Sequence, residues 1–119
     1  MSISNEALQK LVREIESQAI AAQQQIGLVR TQLGSKQREK RLAQLTLSEI
    51  SSLPPTTPAY EGVGKMFVSV PVPTLQNKLG SQVKEIDTEV ENLGKKLHYL
   101  ETTAKNSQAH IDKMLKGQS

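Results

Sequence analysis

The chain has no cysteine and no tryptophan, and only one phenylalanine and two tyrosines among its 119 residues. The missing cysteines exclude disulfides, thiolate zinc sites and cysteine nucleophiles together, and suit a reducing compartment. With aromatics at 3% and apolar residues at 36%, a compact globule around a large core is not expected. No apolar run approaches the roughly 20 residues of a membrane span. The opening "MSISNEALQK" lacks the apolar stretch of a signal peptide. The expectation is one soluble domain, 1–119, in the cytoplasm, with no membrane partner. Net charge is only +3. The single dense basic patch, Lys36, Arg38, Lys40 and Arg41 around Glu39, has no interleaved aromatics. It reads as a solvated helix face and not as a nucleic-acid surface.

Catalytic and cofactor chemistry is equally poorly provided for. His98 and His110 are twelve residues apart, with no third ligand at metal spacing. "GVGK" falls short of a phosphate-binding loop. Ala59 stands where that motif needs its first glycine, and Met66 where it needs Ser or Thr. No Ser/His/Asp set or carboxylate pair can be placed in a pocket. The reading is a protein that is not an enzyme, with no catalytic residue, metal or cofactor.

What the chain does have is spacing. Leu8, Val12, Ile15, Ala19, Ala22, Ile26, Val29 and Leu33 alternate intervals of four and three, the seam of a coiled coil. Leu79, Val83, Ile86, Val90, Leu93, Leu97, Leu100, Ala104, Ser107, Ile111 and Met114 do the same. Ser4 suits an N-cap with Glu6 in the first turn, and Pro71 and Pro73 mark the second start. The spacing predicts helices over 5–45 and 73–116, each about 60 Å long at 1.5 Å per residue. Helices of that length with narrow apolar stripes must pair, and an antiparallel pairing within the chain is the nearest solution. One register sets Leu33 opposite Leu79, Ile26 opposite Ile86, Ala19 opposite Leu93 and Val12 opposite Leu100; a slip of one heptad fits nearly as well. Beyond Leu33 the seam would fall on Lys36 and Lys40, whereas Leu42 and Leu45 lie on another face. The first helix is therefore expected to leave its partner there.

The middle of the chain obeys another rule. Thr46 followed by Glu49 has capping-box spacing and predicts a short helix over 47–53, which Pro54, Pro55 and Pro58 end. "AYEGVGKMFVSV", 59–70, then reads as a β-hairpin turning at Gly64-Lys65. Its expected register pairs Gly62 with Phe67 and Tyr60 with Ser69 on one face, and Val63 with Met66 and Ala59 with Val70 on the other. A lone two-stranded hairpin is marginal in water. This one also presents apolar side chains on both faces and two open edges. It is best read as an assembly module, in which several copies or relatives close into a larger sheet or barrel. The subunit-interface residues would be Tyr60, Val63, Met66, Phe67, Val68 and Val70.

The order helix, short helix, Pro-rich link, "AYEGVGKMFVSV" and helix resembles the β-class subunits of prefoldin, with Tyr60 to Phe67 as its most specific part. The resemblance covers nearly the whole chain in architecture. It implies a mainly α fold: a long antiparallel two-helix coiled coil whose central β-hairpin joins an inter-subunit β-barrel. It further implies a hexamer of two α-class and four β-class subunits, with six coiled-coil tentacles hanging from a double-barrel platform. By the same resemblance the assembly captures unfolded clients, notably nascent actin and tubulin. It passes them to the cytosolic chaperonin without ATP, and the tentacle tips hold the client. Ile3, Leu8, Leu11, Ile111, Met114 and Leu115 are the candidate client-binding residues at that end. They could equally just finish the seam, but Leu11 and Leu115 lie off it, chain ends fray, and Met adapts to varied surfaces. The competing reading is a structural coiled-coil adaptor or tether, which would have no use for a sticky hairpin at its midpoint.

Overall fold

The computed structural model describes residues 4–117. Two helices, α1 (Asn5–Ser51) and α2 (Val72–Lys116), flank an antiparallel pair of strands, β1 (Tyr60–Val63) and β2 (Met66–Ser69). The α1 start is set by Ser4, whose Oγ accepts the Ala7 N–H at 3.2 Å while Glu6 opposes the helix dipole. At the head of α2 the Leu75 N–H donates to the Pro71 carbonyl at 3.1 Å. Pro73 thus lies in the first turn, where its missing N–H removes no helical bond. Lys113 and Lys116 occupy the last turn of α2, where cations suit the dipole.

The chain forms two compact units. One comprises residues up to Leu33 together with those from Asn92 onward. Its buried positions, Leu8, Ile26 and Val29 on α1 and Ala104 and Ile111 on α2, all fall on the two seams. The helices run antiparallel: Leu8 and Val12 share a cleft with Leu115, Ile15 shares one with Ser107 and His110, and Arg30 pairs with Glu101 at 3.0 Å.

The other unit, Gly34–Glu91, contains the hairpin and overturns three expectations. First, α1 does not stop at 45; it continues to Ser51. Second, no separate helix covers 47–53. Thr46 caps nothing, because its hydroxyl donates to the Leu42 carbonyl at 2.8 Å within the unbroken helix. Third, the seam does not shift to Leu42 and Leu45, which are 67% and 56% exposed. The less exposed positions are Lys36, Lys40, Ala43, Leu47 and Ile50, the same alternation of four and three carried straight on. The two lysines stay on the seam because acids meet them. Lys36 Nζ lies 2.8 Å from Glu89 and 3.5 Å from Glu39, and Lys40 pairs with Asp87. Half of the basic patch is therefore part of the helix pairing, not a solvated face; Arg38 and Arg41 are exposed.

These ion pairs also correct the register. Lys36 meets Glu89, where the expected register placed residue 76, a displacement of 13 residues and close to two heptads. Treating Leu33 as the end of the seam had drawn Leu79 up to it. With the seam running on to Ile50, Leu79 instead lines a cleft with Ala43 and Thr46, and Gln76 Nε2 reaches Ser51 Oγ at 3.4 Å. Ile26 and Ile86, expected opposite one another, belong to different units.

A hydrogen bond to Glu89, then the charge of Glu39 and that of Glu89, raise the Lys36 ammonium above the ordinary lysine value of 10.5, against opposing desolvation. A lysine raised in the folded state contributes stability that is fully present below its unfolded pKa and is lost as pH rises through the folded one. The stability difference between the chain and Lys36→Met should therefore be constant through neutral pH and shift against the chain above pH 10.5. Circular-dichroism melts of both proteins across pH 7–11.5 check this. A difference that does not change with pH would remove Lys36 from the pairing.

Candidate functional site

The hairpin is built by its turn. Gly64 has φ +60°, the only positive φ among the described residues, so Lys65 keeps an ordinary backbone. One positive φ at the first loop position is the type II′ pattern, whose twist suits the flanking strands. Tyr60 then pairs with Ser69, Glu61 with Val68, Gly62 with Phe67 and Val63 with Met66, the register read from the sequence. The Val70 N–H adds a further rung to the Ala59 carbonyl at 2.9 Å. Phe67 lies across the strand glycine, its Cε1 3.9 Å from where a Cβ on Gly62 would stand.

Tyr60, Val63, Met66, Phe67 and Val68 are all exposed, Phe67 most of all at 79%, and Val70 is half-buried. Phe67 and Tyr60 share one face; Val63, Met66 and Val68 share the other. The two-stranded sheet leaves an open edge on each strand. Its position is fixed from one side by an ion pair between Glu61 and Lys78 of α2. From the other side the chain enters through a turn in which the Thr57 N–H donates to the Pro54 carbonyl at 3.0 Å.

The residues expected to touch clients fall into two groups. Leu8 and Ile111 are buried on the seams and Met114 is half-buried; these become available only when the helix ends open. Leu11 and Leu115 are exposed, Leu115 at the rim of the cleft with Leu8 and Val12. Ile3 lies outside the described residues. His98 and His110 are exposed. Among the described residues no three His, Cys, Asp or Glu side chains gather closely enough to hold a metal ion. Gly64 and Lys65 join two strands, whereas a phosphate-binding loop joins a strand to a helix. Among the described residues no helix is long and apolar enough to cross a membrane. What this arrangement offers is apolar surface and unpaired strand edges. The sequence reading missed the Lys78–Glu61 tie, which only the register reveals.

A family model described as "Prefoldin subunit" matches residues 6–118. Prefoldin subunit 1 of Danio rerio is 33% identical over 91% of this chain and 88% of its own length. The probable prefoldin subunit 1 of Schizosaccharomyces pombe is 28% identical over 90% of this chain and 96% of its own. The crystal structure of the prefoldin beta subunit from Thermococcus strain KS-1 superimposes with a TM-score of 0.82 at 26% identity, covering 87% of this chain and 90% of that one. Sequence and fold agree over most of the length, and the chain belongs to the prefoldin family as a β-class subunit.

Proposed function

We propose that the chain is a subunit of a hetero-hexameric, ATP-independent co-chaperone of the cytoplasm. The assembly captures unfolded or nascent proteins, actin and tubulin among them, and delivers them to the cytosolic chaperonin. The hairpin joins α- and β-class sister subunits in a shared β-barrel, and the end carrying Leu11 and Leu115 contacts the client. The observation that carries this reading is the family match over residues 6–118. The exposure of apolar side chains on both hairpin faces supports it and speaks against a simple tether.

The client-binding end is tested by deleting residues 109–119. This removes Ile111, Met114 and Leu115 but leaves the rest of the α2 seam, so the truncated chain should still assemble. It should suppress aggregation of an unfolded client less well, since apolar contact is worth about 25 cal/mol per Å². One truncated arm gives a partial loss, because several arms share one client. Light scattering of a denatured client, with matched amounts of assembled complex, measures the effect. Full protection with several arms truncated would move client contact elsewhere on the assembly.

A further inference from the structure

Apolar seams alone do not choose between alignments that differ by a whole heptad, because leucine, isoleucine and valine meet one another in each. In the unit Gly34–Glu91 charged residues make the choice. Lys36 and Lys40 occupy seam positions of α1, with side chains 35% and 30% exposed. Lys36 Nζ meets Glu89 at 2.8 Å, and Lys40 pairs with Asp87. Moving α2 by seven residues in either direction breaks both pairs. One slip sets Lys36 opposite Gln82 and Lys40 opposite Gly80; the other sets them opposite Lys96 and Gly94. Neither offers an acid, and the second brings two lysines together.

We infer that Lys36 and Lys40, through Glu89 and Asp87, determine the register of the helix pair, admitting one alignment and excluding its neighbours. A polar group on a coiled-coil seam can take this role at a cost in stability. The alignment matters beyond the helices. Glu61 ties the hairpin to Lys78 of α2, so a slip of one heptad would carry the hairpin about 10 Å along α1. The same two ion pairs therefore set where the hairpin stands. Glu89 and Asp87 are 49% and 51% exposed, so removing the lysines strands no buried charge. Methionine at 36 and leucine at 40 should leave the helices paired but free to slip.

The absence of native cysteine makes the alignment readable in the free chain, without any sister subunit. Ser51 Oγ and Gln76 Nε2 lie 3.4 Å apart, so Ser51→Cys with Gln76→Cys reports the observed register. Gln44→Cys with Gln76→Cys reports one slip and Ser51→Cys with Val83→Cys the other, each displaced by about 10 Å. Each pair is treated with a short bis-methanethiosulfonate linker, and the adducts are quantified by mass spectrometry. In the parent background only the first pair should join efficiently. With Lys36→Met and Lys40→Leu, the slipped adducts should rise about tenfold or more while the helical circular-dichroism signal persists. Lys36→Arg with Lys40→Arg keeps the charges and should join as the parent does. Unchanged adducts with Lys36→Met and Lys40→Leu overturn the inference. So do slipped adducts in the parent or with the two arginines. Loss of helical signal with Lys36→Met and Lys40→Leu overturns it too, because the lysines would then hold the helices together and not select their alignment.

Discussion

Aspartate in place of Val29 or Ile26 is expected to melt the unit formed by residues up to Leu33 and from Asn92 onward, at a cost on the order of 3–5 kcal/mol. The two side chains are 1% and 3% exposed and sit on the seam, so a carboxylate there has neither water nor a cation to meet. Arg30, next to Val29 in the chain, is exposed and already engaged by Glu101. Gln24→Asp places the same group on an exposed position of the same helix and should stay within about 0.5 kcal/mol of the parent. Circular-dichroism melts of the purified chain compare the three. A parallel comparison tests the corrected seam of the other unit. Leu47→Asp, on a half-buried position, should destabilise clearly, whereas Leu45→Asp, at 56% exposure, should not. Equal losses at seam and outer positions would mean that neither seam has been placed correctly.

Much of this architecture could be read from residue spacing, and the places where it could not share one physical cause. Local rules sufficed for the Ser4 cap, for Pro73 in the first turn of α2 and for the hairpin register, because the Gly64-Lys65 turn dictates which residues face one another. They failed at Lys36 and Lys40. A heptad read only from apolar residues stops at a charged position, yet those lysines keep their seam positions through Glu89 and Asp87, which are remote in sequence. Losing the last turns of the seam then displaced the helix register, since matching heptad to heptad leaves slips of whole heptads nearly equivalent. Thr46 and Glu49 compounded the error: their spacing imitates a capping box, but no Gly or Pro interrupts residues 35–53 to give a new helix a place to start. The apolar character of the hairpin was legible from alternation alone. The exposure of Leu42 and Leu45 was not, because they looked like the same seam in a new phase.

The hairpin should prove the most sensitive point for assembly. Phe67→Asp combined with Val68→Asp places a carboxylate on each face of β2, and either face alone could serve a partner sheet. In the free chain both positions are open to water, Phe67 at 79% and Val68 at 43%, so charging them costs the monomer little. The strands also lie outside α1 and α2, and the helical signal should survive. In an assembled sheet or barrel the same positions become buried. Each apolar side chain then contributes about 1.5–3 kcal/mol, and each substituted carboxylate instead brings a desolvation cost of several kcal/mol. The two effects act in the same direction and should weaken incorporation by about a thousandfold or more. Gel filtration with the sister subunits, followed by quantification of this chain in the complex peak, reads the result directly. Retained helicity with lost co-elution assigns assembly to the hairpin. Co-elution at the parental level would show that the exposed apolar faces of β1 and β2 are not where this subunit meets its neighbours.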